Sequence, residues 1–383
     1  MAMLSSGHLA VDFAAGGVPA LLPFLTERFD LTYTAVAAIM LAATVSSSLV
    51  QPAFGLWSDR RGALWLLPGG IALAGVALAL TALAPSYWLV LPLVFASGLG
   101  IAAFHPEGAK FAAYASGRRR ASGMALFNIG GNTGYALGPV LITPLVVWLG
   151  IAGGALAAVP VLAAAAVLLV ALPAIGTLAP EREAHMAAAG DDRRGAMGLL
   201  VVVIVMRSVA WFGLLTFVPL WVVELGGTEA EGNRELSLML LAGAAGTLVL
   251  GPVADRIGLR RTLVLTQAAL PPLILAFVIA GSALGTLALM LVGMCVVGTF
   301  GVTMVLGQLY LPRHVGMASG LVVGLAIGVG GVAAIALGAV ADTVDLETAL
   351  WVSALAPAVG VLAALALPPA ARAARVAAEA AAP

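Results

Sequence analysis

Charge is scarce in this chain. Only 9% of its 383 residues are Asp, Glu, Lys or Arg, against 62% hydrophobic residues. A soluble domain carries about 25% charged residues, so a water-facing surface cannot be built from this composition. Mean hydropathy is +1.10, which points to lipid as the solvent. Cys295 is the single cysteine, which excludes a disulfide framework and a thiolate metal cluster. Lysine is nearly absent, with Lys110 alone against seventeen arginines; with abundant alanine, this suggests a GC-rich bacterial genome. Net charge is zero, giving no basic footprint for nucleic acid. No G-x-x-x-x-G-K-[ST] occurs, so the chain has no phosphate cradle for ATP-driven transport. Neither H-E-x-x-H nor G-x-S-x-G occurs, so there is no basis for an intramembrane enzyme.

What is present is a series of long uncharged stretches, each near the roughly 20 residues that cross a bilayer as a helix. Breaking the chain at charges and turn residues predicts twelve spans: 4–25, 35–57, 64–84, 88–113, 122–149, 151–173, 197–223, 236–254, 262–281, 284–309, 317–341 and 347–367. A spanning β-barrel would show about ten-residue alternating segments instead. The first run has no basic segment before it and is interrupted by Asp12, so it reads as a retained helix rather than a cleaved signal.

An even number of spans puts both termini on one side. Arg60, Arg61, Arg118, Arg119, Arg120, Arg182, Arg193, Arg194, Arg256, Arg260, Arg261, Arg313, Arg372 and Arg375 fall on that side. Only Arg28 and Arg234 fall opposite. By the positive-inside rule the termini are expected in the cytoplasm, and a bacterial inner membrane is the expected location. The longest polar stretch divides the spans six and six. The expected organisation is a six-helix bundle over 1–175, a linker over 176–196, a second bundle over 197–368 and a tail over 369–383. Internal similarity supports that division. Gly55-Leu-Trp-Ser-Asp59-Arg60-Arg61-Gly62 follows the second span, and Gly251-Pro-Val-Ala-Asp255-Arg256-Ile-Gly258 follows the eighth. Ala121-Ser122-Gly123 opens the fifth span, and Ala318-Ser319-Gly320 opens the eleventh. Parallel halves with a site between them are the logic of one large class of secondary transporters.

These residues resemble the major facilitator superfamily. The two loops are similar to its G-x-x-x-D-R-x-G-R-R motif; the second copy carries the basic pair one place later, as Arg260 and Arg261 after Leu259, and the first has Ala63 and Leu64 in place of the basic pair. Gly134-Tyr-Ala-Leu-Gly138-Pro139 is similar to the antiporter motif of the fifth helix. His8 to Asp12, Pro19 to Leu25, Gln51-Pro52, Leu83 to Tyr87 and Gly100 to Lys110 resemble the fosmidomycin resistance branch, mainly over the first half of the chain. The resemblance implies a twelve-helix transporter working by alternating access, with a proton gradient and no cofactor. In many drug-efflux members a basic residue lies four positions before a glycine of the fourth helix. Here that position is Val94, so their proton relay is not carried over.

Ionisable side chains inside a span cost about 2.5–3.5 kcal/mol each on insertion scales and are functional candidates by default. Asp12 reads as a proton-coupling residue, with a structural ion pair as the competing reading. His8 lies one turn earlier on the same face and is a candidate for substrate contact. Aligning Pro23 with Pro219 sets Val11 opposite Arg207, placing Asp12 and Arg207 at similar depth in the two halves. Arg207 is a permanent guanidinium fork for carboxylate or phosphonate; the alternative is snorkelling to the interface. His105-Pro106-Glu107-Gly108 is expected to loosen the fourth helix, making His105 and Glu107 proton candidates and Lys110 either a substrate contact or the neutralising partner of Glu107. Asn128, Asn132, Trp211 and Gln308 are further substrate candidates, with helix packing as the competing reading for each. Gating is assigned to Gly55, Asp59, Arg60, Gly134, Gly138, Pro139, Gly251, Asp255 and Arg256, as glycine faces, a bend and cytoplasmic charge latches.

The expected function is proton-coupled export of a small anionic or amphipathic compound by a monomer. Uptake of an organic acid, sugar or metabolite is the alternative, and a non-transporting membrane sensor is a further one. The expected partners are the substrate, protons and the bilayer, with no metal and no nucleic acid.

Overall fold

A computed structural model describes residues 1–51, 53–54, 57, 63–116, 120–177, 191–280, 283–311 and 315–368. Gly55, Asp59 and Arg60, the expected latch of the first repeat, lie outside the described residues, as does the tail.

The described residues are helical almost throughout, as they must be where no water can satisfy backbone groups. The elements are α1 (Ala2–Phe29), α2 (Tyr33–Ser48), α3 (Leu66–Leu83), α4 (Tyr87–Ser116), α5 (Arg120–Leu149), a 3-10 turn (Ile151–Ala157) leading into α6 (Ala158–Gly176), α7 (Arg194–Glu224), α8 (Glu229–Ile257), α9 (Leu259–Ala280), α10 (Ala283–Gly298), α11 (Phe300–Tyr310), α12 (Val315–Thr343) and α13 (Leu346–Ala366). Ten helical stretches are long and apolar enough to cross a membrane, with α10 and α11 forming one of them, and Tyr33–Ser48 and Ile327–Thr343 are shorter apolar helices. The chain is an all-α polytopic membrane protein of twelve spans.

Four differences from the sequence expectation stand out among several shifted helix ends. First, α8 starts at Glu229 rather than 236. The reason is a capping box: Thr228 N donates to Glu231 Oε2 over 2.8 Å, and Glu231 N donates to Thr228 Oγ1 over 3.2 Å, so both ends of a Thr-x-x-Glu pair satisfy first-turn donors. The following polar residues then join the helix. Second, α8 runs through the Gly251–Arg256 motif to Ile257, with Asp255 and Arg256 exposed on its last turns. The turn itself is the single residue Gly258, whose φ of 98° favours glycine. Third, the tenth span is split at Thr299 into α10 and α11. Fourth, α4 runs unbroken through Pro106, so the expected loosening at His105–Gly108 is not a break.

By internal contacts the chain forms two compact units. One is Met1–Glu183 with Thr216–Leu241, and the other is Ala184–Leu215 with Ala242–Pro383.

In the first unit α1 packs most extensively on α5. The glycines of α5 explain how two backbones come so close. A β-carbon at Gly134 would lie 2.8 Å from Leu9 Cα, and one at Gly138 would lie 2.8 Å from Gly16 Cα. Gly130 meets the backbone of Ser5 in the same way, and Ser5 Oγ donates to Leu126 O over 2.6 Å. The i, i+4 spacing thus carries one helix along the other. The same unit holds a buried polar contact: Asn233 Nδ2 donates to Ala20 O over 2.8 Å and to Thr143 Oγ1 over 3.0 Å.

The core of the second unit gathers Leu200, Val203 and Ile204 of α7, Leu263 of α9, Leu306 and Tyr310 of α11, and Val322 of α12. Tyr310 Oη reaches Pro368 O over 3.1 Å, tying α11 to the end of α13.

Candidate functional site

Asp12 sits in the middle of α1 and is held by two histidines. His8 Nε2 lies 3.2 Å from Asp12 Oδ2, and His105 Nε2 of α4 lies 3.3 Å from Asp12 Oδ1. Each imidazole therefore takes its own carboxylate oxygen. The i, i+4 spacing of His8 and Asp12 was readable in the sequence; the arrival of His105 from 93 positions later is fixed by the packing of α4 on α1.

The other ring nitrogens are equally fixed. His8 Nδ1 donates to Phe127 O and His105 Nδ1 to Ile101 O, each over 2.8 Å. The His8 ring stacks on Phe127 with centroids 4.1 Å apart, and meets His105 edge-on at 5.1 Å. Side-chain exposure rises from 8% at His8 through 17% at Asp12 to 24% at His105, so the group is reached from the His105 side. Gly131 of α5 closes the opposite side: a β-carbon there would strike the His8 imidazole and lie 2.6 Å from Asp12 Oδ2. Tyr135, one turn on, is within electrostatic reach of Asp12. The sequence reading missed both; Gly131 was hidden behind the more regular Gly130, Gly134 and Gly138.

This group joins three of the sequence-derived candidates, His8, Asp12 and His105, into one triad. Glu107 makes a separate pair. It is 1% exposed and pairs with Lys110 Nζ over 2.7 Å, so the neutralising arrangement is the one found. Among the described residues, His8, Asp12 and His105 are also the group whose ligand atoms lie within 4.8 Å of one another in a spacing compatible with a cation. Two imidazoles and one carboxylate suit protons and a divalent metal alike.

Arg207 of α7 is 4% exposed and lies far from any helix end, so it does not snorkel. Its Nη1 donates to Thr299 Oγ1 over 2.9 Å, and Nη2 faces Thr303 Oγ1 at 3.5 Å. Thr299 is the residue at which α10 gives way to α11, and its hydroxyl donates in turn to Cys295 O over 2.6 Å. The guanidinium thus docks on the helix break. Neither threonine was a sequence candidate, although their i, i+4 spacing in an apolar span was visible. Asp12 and Arg207 fall in different compact units.

The remaining candidates are less drawn together. Asn128 is exposed, and Asn132, Trp211 and Gln308 are half-buried. Gly251 has open space around it, as has Gly328. Among buried polar groups, Trp221 Nε1, Asn233 Oδ1 and Glu235 Oε2 have no hydrogen-bond partner among the described residues. Asn233 and Glu235 were missed because the residues between 223 and 236 were read as a loop.

Comparison with known proteins agrees with this architecture. The family model described as Major Facilitator Superfamily matches residues 4–334. The chain is 31% identical over 372 residues to the MFS-type transporter YfnC of Bacillus subtilis (strain 168), covering 93% of this chain and 90% of that one. It is 31% identical over 369 residues to the fosmidomycin resistance protein of Escherichia coli (strain K12), covering 94% and 90%. Among solved structures, the nucleoside transporter NupG superposes with a TM-score of 0.75 at 12% identity, covering 95% of this chain and 98% of that one, a likeness of fold alone. Spans, motifs and relatives converge: the chain belongs to the major facilitator superfamily and is a membrane transporter, not an enzyme.

Proposed function

We propose that this transporter exports a small anionic or amphipathic compound in exchange for protons. It would work as a monomer in a bacterial inner membrane by alternating access, with both termini in the cytoplasm and repeats over 1–175 and 197–368. The carrying observation is the triad of Asp12, His8 and His105. A carboxylate between two imidazoles inside a span is costly, and imidazole is the side chain whose ordinary charge change falls between pH 5 and 8. Arg207 supports the anionic character of the cargo. Among the described residues its partners are neutral hydroxyls, so its charge is available to a carboxylate or phosphonate. The 31% identity with the fosmidomycin resistance protein supports the direction of transport and suggests that phosphonate as the first compound to try. In this reading the glycine face of α5 with Pro139 bends as the halves rock, and Asp255 with Arg256 latches the cytoplasmic side.

The test uses everted vesicles from cells overproducing the protein, with an imposed acid-inside gradient and fosmidomycin as probe. Accumulation that collapses with the gradient, and is lost in Asp12→Asn at equal expression, is the expected result. Proton-driven loss of the probe from the vesicles would establish uptake instead. Full coupled transport by Asp12→Asn would remove the proton assignment.

A further inference from the structure

We infer that the triad is loaded with protons in pairs, one for each contact that Asp12 makes with an imidazole. The inference deepens the proton-coupled reading and rests on it for its role in transport.

The argument is a count of donors. A backbone carbonyl only accepts hydrogen bonds. His8 Nδ1 faces Phe127 O and His105 Nδ1 faces Ile101 O, so both rings must carry a proton on Nδ1. A neutral ring then presents a bare lone pair at Nε2. An ionised carboxylate also only accepts. The contacts of Asp12 Oδ2 with His8 Nε2 and of Asp12 Oδ1 with His105 Nε2 therefore each need a proton of their own. Placing one of them on the carboxyl group does not change the count, because a single O–H serves one ring and leaves the other contact unfilled. With two protons both contacts close. With one, a lone pair faces an oxygen at one of them. With none, all three groups repel.

Among the described residues of the packed helices, no other charge fills the role. From α5 the ionisable neighbour is Tyr135. On α4, Glu107 and Lys110 are engaged with one another. The described parts of α3 and α6 contain no acidic, basic, histidine or tyrosine residue, and Tyr33, the ionisable residue of α2, donates to Glu224. The two protons are also not equivalent in what they hold. One joins His8 and Asp12 within α1; the other joins α1 to α4 through His105. Loss of the pair therefore removes the hydrogen bond by which His105 of α4 holds Asp12 of α1. Because the contacts share one carboxylate, the protons belong to the triad and not to single residues.

The test reads ring nitrogens directly. The chain has four histidines, so His185→Gln with His314→Gln leaves His8 and His105 as the only imidazoles. Full-length protein carrying these changes and 15N-labelled histidine is placed in lipid nanodiscs in metal-free buffer, and spectra are taken from about pH 5 to about pH 9. The expected result is Nδ1 protonated on both rings throughout, with both Nε2 protons gained over a common pH range. Asp12→Asn should leave both rings neutral at a pH where the parent carries both protons. His105→Gln should reduce the uptake from two protons to one, which keeps the count readable should the Asp12 variant fail to fold.

A ring that stays neutral at Nε2 while the other is charged would overturn the pair. So would displacement of both protons by about micromolar zinc chloride near neutral pH, which would make the triad a divalent-cation site. Vesicle flux separates this inference from the functional reading. Two charged rings with flux indifferent to Asp12→Asn would keep the pair and remove the coupling; one charged ring with coupled flux would do the reverse.

Discussion

Gly131 of α5 faces the imidazole of His8 with no room for a methyl group between them. The smallest side chain at this position would push into the ring that holds Asp12, 3.2 Å away. Gly131→Ala should therefore cost about 1–3 kcal/mol of stability by overpacking, and proton-driven flux should fall at least tenfold because the triad is displaced. Gly328→Ala is the control. Its β-carbon would meet open space, so the helix should gain up to about 1 kcal/mol from the better helix former with flux unchanged. Thermal unfolding in detergent and vesicle flux measure the two effects. Equal behaviour of the two variants would mean that space beside His8 is immaterial.

A second contact is easier to isolate from transport. Asn233 Nδ2 donates to both Ala20 O and Thr143 Oγ1 in a buried setting. Asn233→Ala removes both bonds and should destabilise the protein by about 1–3 kcal/mol, the cost of leaving buried acceptors unfilled. Thr143→Val removes one acceptor and should cost less, with Ala20 O still served. If the double variant lost the sum of the two, the shared hydrogen bond between Asn233 and Thr143 would be ruled out.

The fold was nearly all legible because lipid leaves the backbone few options, and an apolar run of spanning length has one regular structure open to it. The ends were legible only where their chemistry was local. Thr228 and Glu231 form a capping box that any reader of the sequence can find, yet starting the eighth span at 236 left it in the preceding loop. The break at Thr299 was not legible: Gly298 and Thr299 occur in an otherwise uniform apolar run, and it is packing and the arrival of Arg207 that decide which turn opens. The site divides similarly. His8 and Asp12 pair within one helix, so periodicity places them together. His105, Gly131, Thr299 and Thr303 reach their partners through tertiary packing, which one sequence does not encode in any local pattern.

The capping box has a measurable consequence. Thr228→Ala removes the acceptor for Glu231 N and one donor to its carboxylate, at a cost of about 1 kcal/mol. The loss falls on the first turns of α8, the stretch that carries Asn233 and Glu235. Hydrogen exchange of the amides of residues 229–235 should accelerate by about fivefold, following from that free energy if opening is local. Exchange in the rest of α8 should be unchanged. Acceleration spread along the whole helix would show that the cap supports more than its own turn.

Arg207 offers the sharpest separation of charge from shape. Its two terminal nitrogens address two hydroxyls one helical turn apart, Thr299 at 2.9 Å and Thr303 at 3.5 Å. Lysine keeps the positive charge but has a single ammonium in place of the planar fork. If the guanidinium binds an anionic cargo while resting on the threonines, Arg207→Lys should weaken anionic compounds about tenfold, or about 1.4 kcal/mol, and leave neutral amphipathic compounds nearly unaffected. Thr299→Val with Thr303→Val should weaken the same anionic compounds by releasing the fork from its rest, without removing its charge. Competition against a bound fluorescent probe gives both constants on one preparation. A parallel loss for anionic and neutral compounds would assign Arg207 to the packing of α7 against the α10–α11 break, and the anion preference would have to arise elsewhere.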